Sequence, residues 1–311
     1  MRHSLLAASL LAAALSLAAC KSTSFTTPQA DAPTDAVAVA SQAKPSTDPG
    51  SVPADDNLNA VLWVQASAEY RAATETIYRA AADKLDIALA QANWDALVPG
   101  ERDNAGATAG LKPAVIMDVD ETVLDNSPYQ ARLIRDQAQY SDPSWALWVA
   151  EKKAKAVPGV VDFARAATQR GITIVYLSNR AVHLKDATLA NLKAVGMPVA
   201  NDDVFLGLGT LVPGCEQHGS EKNCRRRLAG QQYRVLMQFG DQLGDFVAIA
   251  ANTPEARAGL VDEYGDWFGE RWWMLPNPTY GSWEPALFDN NWSRPQPERR
   301  QIKREALNYA N

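Results

Sequence analysis

The sequence predicts an α/β fold in which a parallel sheet is flanked by helices. Three short, continuously apolar runs at residues 114–117, 172–177 and 235–239 predict strands that are buried on both faces. Helical stretches at 160–170 and 186–195 precede and follow the second run. Because strands and helices alternate along this part of the chain, the pattern is typical of α/β proteins.

The composition is that of a globular protein with a sizeable core. The chain has 311 residues, of which 47% are hydrophobic and 21% charged, enough for one large domain or two small ones. The net charge of −6 argues against a nucleic-acid polymer as partner, since such proteins usually carry a basic surface. The densest basic run is Arg225–Arg227, which is too short to follow a phosphate backbone.

The N-terminus predicts export and a lipid anchor. Residues 1–19 have a basic start and an Ala/Leu-rich run too short to span a bilayer, which is typical of a signal peptide. Small residues before Cys20 resemble a bacterial lipobox, and a diacylated Cys20 would anchor the chain stably. Because Lys21 rather than Asp follows, we expect an outer-membrane lipoprotein, periplasmic or surface-exposed. The alternative is an ordinary signal peptide with a cysteine at this place by chance.

Residues 20–55 predict a flexible tether, and residues 56–311 the folded domain. The tether is rich in Thr, Ser, Pro, Asp and Ala and has one aromatic residue, so it cannot bury enough apolar surface to fold. At 58–89 apolar residues recur at spacings of three, four and seven, which predicts one or two helices capped by Asp56 or Asn57.

Cys215 and Cys224 are expected to form a disulfide. They are the only cysteines besides Cys20, and an exported protein folds in an oxidising compartment. Free thiols are the alternative. A zinc site is disfavoured, because His218 is the only histidine nearby.

Polar, reactive residues follow each of the three predicted strands. Asp118 and Asp120 follow the first, Ser178 begins the segment after the second, and Asp241 comes after the third. Ligands of open α/β sheets bind beyond the carboxyl ends of the strands, so these side chains are expected to converge. Each motif alone is common in turns and loops; their order along the chain makes the chemical interpretation specific.

Two carboxylates two residues apart can take different chemical roles in one reaction. Asp118, bound to a cation and ionised, can attack phosphorus, while Asp120 with a raised pKa can protonate the leaving oxygen and then deprotonate water. An aspartyl-phosphate intermediate follows. The charge of a phosphoryl group must be neutralised, for which we expect Mg²⁺ on Asp118 and Asp241, Lys222, and donors at Ser178.

These segments together resemble the haloacid-dehalogenase-like (HAD) superfamily and, more closely, its class C acid phosphatases, which are bacterial outer-membrane lipoprotein nucleotidases. The residues matching the four superfamily motifs are Asp118–Thr122, Ser178, Lys222, and Gly240-Asp241 with Asp245. The segments supporting the closer likeness are 124–129, 145–148, 157–159, 178–180 and 274–284. The resemblance covers roughly residues 58–295.

The resemblance implies a HAD-like Rossmannoid parallel sheet with a smaller, mainly helical subdomain. It also implies Mg²⁺ held by Asp118, the backbone carbonyl of Asp120, and Asp241. The roles it implies are Asp118 as nucleophile, Asp120 as acid/base, Ser178 and Lys222 as further catalytic residues, and Trp145, Tyr280, Asn179 and Arg180 as substrate-binding residues. The lysine segment departs from the family in its two cysteines and three arginines, so Arg225 or Arg226 could share the role of Lys222.

The function expected is that of a Mg²⁺-dependent acid phosphatase or 5'-nucleotidase acting on nucleoside monophosphates and aryl phosphates. Carbon–halogen cleavage needs no leaving-group acid, so Asp120 argues against it. A non-catalytic, ligand-binding surface lipoprotein is the other alternative, and it has no need of Asp118 and Asp120 together. The sequence does not rank substrates or indicate an oligomeric state.

Overall fold

The structure is a computed structural model that describes residues 56–310. The predicted signal peptide, Cys20 and the whole of the predicted tether lie outside the described residues. The helices are α1 Leu58–Ala66, α2 Ala68–Ala90, α3 Pro99–Ala105, α4 Ser127–Arg135, α5 Asp142–Glu151, α6 Val160–Gln169, α7 Lys185–Ala194, α8 Asn223–Gln232, α9 Pro254–Glu263 and α10 Gln296–Glu305. Within residues 56–310, no helix combines the length and the apolar character needed to cross a membrane.

Five parallel strands form the main sheet, as the α/β pattern predicted. The strands are β1 Lys112–Met117, β2 Leu124–Asp125, β3 Lys155–Ala156, β4 Thr173–Ala181, β5 Phe205–Leu208, β6 Tyr233–Gly240 and β7 Trp272–Met274. The order in the main sheet is β5-β4-β1-β6-β7, and every pair is parallel. β1 is therefore central, and its carboxyl end has β4 on one side and β6 on the other.

Apolar side chains cover both faces of the sheet, which explains why the predicted strands are continuously apolar. In β1, Val115 and Met117 pack into one buried cluster, whereas Ala114 and Ile116 pack into the other. The first cluster includes residues of α2, α6 and α7, and the second includes residues of α8 and the aromatic Trp272. Successive strand side chains point to opposite faces, so both must be apolar here.

The N-terminal helical region is two helices, separated at Ser67. The Ser67 hydroxyl accepts a hydrogen bond from the Tyr70 backbone N–H and so caps α2. The residues of α2 that are buried lie three or four apart and form one face: Tyr70, Thr74, Tyr78, Ala81, Leu85 and Ala88. This face packs on the sheet, where Tyr78 stacks on Phe239 at 5.4 Å between ring centroids.

A helical insertion follows β1. α4 and α5 lie between β2 and β3, which pair antiparallel in a small second sheet. Buried side chains of this insertion, among them Tyr129 and Trp148, join the same apolar cluster as α2 and α6. This insertion corresponds to the small helical subdomain expected from the sequence.

Candidate functional site

The site is centred on Asp118, the first residue after the central strand. Its backbone N–H donates to the Phe239 carbonyl of β6 at 2.9 Å, so the β1–β6 pairing continues to the residue that carries the carboxylate. The side chain is almost fully buried, with 6% of its residue surface exposed. Asp118 therefore has a fixed direction at the edge where the strands end.

Lys222 bridges two acidic residues of the site. Its ammonium donates to the carboxylate of Asp118 and, at 2.6 Å, to Asp245 Oδ1. Lys222 is the residue just before α8, at the end of the long segment between β5 and that helix. The lysine predicted from the third motif thus lies against the predicted nucleophile.

Asp241 and Asp245 come from the turn that follows β6. Asp241 accepts hydrogen bonds from the side chains of Gln242 and Asn277, each at 2.7 Å, while Asp245 accepts one from the Gln242 backbone N–H at 2.8 Å. Gly240 makes this turn possible, because a Cβ at that position would collide with the Asp245 side chain.

Three carboxylates at this edge have the arrangement of a cation site. Oxygens of Asp118, Asp241 and Asp245 all lie within 4.8 Å of one another. Burial and the neighbouring carboxylates raise the pKa of Asp118 well above its usual range, although Lys222 opposes that shift. Burial, with Asp245 second, raises the pKa of Asp241 to about 7. An all-oxygen donor set with an excess of buried negative charge fits Mg²⁺.

Asp120 lies apart from that cluster, paired with Arg180. The guanidinium donates to Asp120 Oδ1 from Nη2 at 2.8 Å and from Nε at 3.0 Å. Asn126 donates to the same oxygen at 2.8 Å. Arg180 was predicted to bind substrate, but it is 2% exposed and its further partners are Thr188 and Asn126. In the described structure it orients Asp120.

The residues Ser178, Asn179 and Arg180 lie within β4, whose regular structure continues to Ala181 instead of ending before them. The buried Ser178 hydroxyl accepts from the Arg180 backbone N–H at 3.0 Å and lies 3.4 Å from Asp120. Asn179 is exposed, and its Oδ1 accepts a bond from Arg225 at 2.8 Å.

Glu121, Asn126 and Asn277 also belong to the site, and sequence reasoning assigned them no role. Glu121 has a left-handed backbone (φ 58°), and its buried carboxylate accepts bonds from the Asn126 backbone N–H and the Tyr280 hydroxyl. Asn126 Oδ1 accepts from the Trp148 indole at 2.8 Å. The only sequence signal for the three is that each stands inside a segment already matched to the family.

Trp145 and Tyr280, the two aromatic residues predicted to bind substrate, lie beside Arg180 and Glu121. Trp145 is half-buried, packs edge-on against Tyr129, and has the Arg180 guanidinium 5.4 Å from its ring centroid. Tyr280 is half-buried, and its hydroxyl donates to Glu121. Trp145 thus contacts Arg180, which binds Asp120, and Tyr280 contacts Glu121, which follows Asp120 in the chain.

Cys215 and Cys224 form a disulfide, with 2.03 Å between the sulfurs. The bridge encloses Lys222 within its loop and ends inside the first turn of α8. The sequence interpretation allowed Arg225 or Arg226 to share the role of Lys222, and the structure does not place either one there. Arg225 bonds to carbonyl oxygens, and Arg226 pairs with Glu101. Burial lowers the pKa of Arg225 to about 10.

A family model matches residues 52–283 of the chain. Its description is HAD superfamily, subfamily IIIB (acid phosphatase). Among solved structures, the class C acid phosphatase from Bacillus anthracis, in a form with tungstate bound and in another described without it, is 34% identical with a TM-score of 0.69. The match covers 81% of this chain and 96% of that one.

Curated relatives are more distant plant proteins. The stem 31 kDa glycoprotein of Glycine max is 28% identical over 53% of this chain and 58% of its own length. Acid phosphatase 1 of Solanum lycopersicum is 23% identical and vegetative storage protein 1 of Arabidopsis thaliana is 25% identical. This chain spans a little more than half the length of these curated relatives, with 57% of the tomato protein and 54% of the Arabidopsis protein matched.

Proposed function

Because the chain belongs to subfamily IIIB of the HAD superfamily, the acid phosphatases, we propose that it is a Mg²⁺-dependent hydrolase of phosphate monoesters. The observation that carries the proposal is the meeting of Asp118, Lys222 and Asp245 beside Asp241, at the end of the central strand. A binding protein has no need of a buried carboxylate held by an ammonium at the edge where ligands of such sheets bind.

Mg²⁺ is the proposed cofactor. Asp118, Asp241 and the backbone carbonyl of Asp120 would hold it, and Asp245 adds a carboxylate to the same group. A bound ion would supply positive charge next to the phosphoryl oxygens. The raised pKa values of Asp118 and Asp241 support this assignment, because burial first and neighbouring carboxylates after it make their ionised forms unfavourable, and a bound cation would offset both effects.

In the proposed first step, a carboxylate oxygen of Asp118 attacks phosphorus and the ester P–O bond breaks. Asp120 gives its proton to the departing alkoxide, and the phosphoryl group is left on Asp118. In the second step Asp120 takes a proton from water, whose oxygen attacks phosphorus; the bond between phosphorus and the Asp118 oxygen breaks, which releases inorganic phosphate and restores the Asp118 carboxylate. Lys222 and Ser178 would bind phosphoryl oxygens, and Arg180 would hold the Asp120 carboxylate in place.

Nucleoside monophosphates and aryl phosphates are the proposed substrates. Trp145 and Tyr280 would stack on a planar base or ring, and stacking tolerates different bases because each has a π-face. The amide of Asn179, whose oxygen is already occupied by Arg225, would donate to the substrate.

Asp118→Asn tests the nucleophile directly. The amide is a poor nucleophile, so kcat for p-nitrophenyl phosphate should fall roughly a thousandfold or more, equivalent to about 4 kcal/mol of transition-state stabilisation. Asp162→Asn, on the exposed surface of α6, is the matched control and should keep the activity. EDTA should stop turnover in the parent enzyme and Mg²⁺ should restore it. Near-normal turnover by folded Asp118→Asn would disprove the assignment.

The second candidate is a protein that binds or stores without catalysis. The name of the Arabidopsis relative, a vegetative storage protein, favours it. It predicts that the parent protein releases no phosphate from any ester at any Mg²⁺ concentration, so the assay above separates the two candidates.

The proposed location is the outer membrane, through a lipid on Cys20. The support is the sequence that precedes this cysteine. In a Gram-negative bacterial host the parent should fractionate with membranes and Cys20→Ser should appear in the soluble periplasmic fraction, because the acyl chains are the anchor. Metabolic labelling with a fatty acid should mark the parent alone. Membrane-bound, labelled Cys20→Ser would contradict the proposal.

A further inference from the structure

Two adjacent arginines in the first turn of α8 are fully buried. Arg225 and Arg226 have no exposed surface, whereas Arg227, the third of the run, is half-buried. Burying a guanidinium is unfavourable unless its N–H groups are bonded. The partners of the two side chains therefore indicate what each one does for the molecule.

Arg225 joins the Lys222 segment to the end of β4. Nη1 donates to the Ser178 carbonyl at 2.5 Å, and Nη2 donates to Asn179 Oδ1 at 2.8 Å and to the Glu221 carbonyl at 3.0 Å. One planar group thus fixes both the residue before Lys222 and the two residues that would face the phosphate. Among the described residues it has no carboxylate within ion-pair distance.

Arg226 points to the opposite side of the site. Nη1 donates to the carbonyls of Gly244 and Asp245 at 2.9 and 3.2 Å. Nε and Nη2 pair with Glu101 of α3, at 2.8 and 2.6 Å for the shortest contacts. Because Asp245 also receives Lys222, Arg226 fixes the spacing between the helix that carries the lysine and the turn that carries the carboxylate.

We propose that Arg225 and Arg226 are positioning residues with separate tasks: Arg225 sets the phosphate side of the site and Arg226 sets the metal side. The inference rests on the proposed phosphatase function. Neither guanidinium touches the reacting groups; each acts through residues that do. Residues that orient metal ligands typically change metal affinity 10- to 100-fold when they are replaced.

The two tasks predict different defects for Arg225→Gln and Arg226→Gln. Arg225→Gln should raise KM for p-nitrophenyl phosphate and Ki for inorganic phosphate about tenfold, with Mg²⁺ affinity changed less than threefold. Arg226→Gln should weaken Mg²⁺ binding 10- to 100-fold, with Ki at saturating Mg²⁺ changed less than threefold. Mg²⁺ affinity is measured by calorimetry without substrate, so this readout does not depend on turnover.

Arg227→Gln is the matched control, since Arg227 has the same charge and helix but no hydrogen bond to the site within residues 56–310. It should match the parent in all three constants. Arg226→Gln leaves Glu101 buried without its partner, so the double variant Glu101→Gln/Arg226→Gln removes both charges and serves if the single variant fails to fold. Arg226→Lys keeps a donor and should recover part of the lost Mg²⁺ affinity.

Folded variants that show the same defect, or lose only thermal stability while all three constants stay at parental values, would overturn the inference and leave the phosphatase proposal standing. A parent protein that neither hydrolyses phosphate esters nor binds Mg²⁺ would instead overturn the proposed function. The two failures are therefore distinguishable in one set of measurements.

Discussion

Asp118 and Asp120 are two residues apart, yet different cations hold them. Lys222 holds the first and Arg180 the second. An ammonium is a compact charge that contacts one oxygen of each carboxylate, whereas a guanidinium is a planar fork that fixes a carboxylate's orientation. This difference fits a nucleophile that must approach phosphorus and an acid/base that must stay aimed at the leaving oxygen.

Trp145→Ala tests the aromatic side of the substrate pocket at the scale of one residue. Base–aromatic stacking contributes about 1–3 kcal/mol per base, so kcat/KM for a nucleoside monophosphate should fall roughly 5- to 150-fold. The loss for glycerol phosphate, which has no ring to stack, should be several-fold smaller. Trp145→Phe keeps an aromatic face and should retain most of the preference. Equal losses for the two substrates in Trp145→Ala would show that the ring only packs against Tyr129 and Arg180.

Single residues were predictable from sequence only where they stand at the end of an apolar run or in a known motif. Asp118 and Asp241 satisfy both conditions. The contact between Glu121 and Tyr280 joins residues 159 positions apart, and nothing local to either one specifies it. The contact of Arg180 with Asp120 was missed for the same reason, since the sequence alone does not distinguish an arginine that binds a carboxylate of the protein from one that binds a substrate phosphate.

At the scale of elements, long buried strands and helices were predicted well and short ones were not. The three apolar runs are the central strands β4, β1 and β6, and the helices at 160–170 and 186–195 are α6 and α7 within a residue at each end. β5 and β7 have four and three residues, too few for periodicity to indicate a strand. They lie at the two edges of the sheet and are apolar and mostly buried, so their shortness and not their polarity hides them in the sequence.

The segment before α8 shows where local pattern stops being informative. Lys222 stands in a stretch without helix or strand, so only the family motif predicted its place. The structure fixes this stretch by other means, the disulfide between Cys215 and Cys224 and the bonds from Arg225. A short disulfide loop and the bonds from Arg225 to Ser178 and Glu221, and not the intrinsic propensity of its residues, position the lysine.

At the scale of the whole molecule, several buried carboxylic acid side chains lie at one site, although the net charge of the chain is only −6. Burial raises the pKa of Asp241 to about 7 from an ordinary value of 3.8, and it raises the pKa values of Asp118 and Glu121 in the same direction. A carboxylic acid with a raised pKa in the folded state stabilises the fold below its unfolded pKa. That stabilisation is lost as pH rises through the folded value.

The metal-free protein should therefore become less stable as pH rises from 5 to 8. In EDTA, Tm should fall by about 3 °C or more, corresponding to about 1 kcal/mol for a domain of this size. Carboxylates whose pKa is lowered by a paired arginine or lysine, such as Glu151 with a pKa of about 2, titrate below this window. Saturating Mg²⁺ should remove or reverse the slope, because it binds the ionised carboxylates.

Asp241→Asn supplies the comparison for this measurement. The amide cannot ionise, so its Tm in EDTA should change less between pH 5 and 8 than that of the parent. Differential scanning calorimetry on both proteins gives the contribution of Asp241 together with its effect on the neighbouring carboxylates of the site. A parental Tm in EDTA that rises with pH would contradict the inference that the ionised carboxylates of the site destabilise the metal-free fold.

The lack of a side chain at Gly240 matters for the site more than for the fold, so this position is useful for comparing related proteins. The turn after β6 brings the Asp245 side chain so close to this residue that any Cβ would displace it, whereas Asp245 belongs to neither apolar cluster on the faces of the sheet. A relative with a larger residue at this position would keep the architecture and lose the spacing of Lys222, Asp245 and Asp118. We therefore expect the residue at this position to distinguish relatives that keep the spacing of these three side chains from relatives that do not.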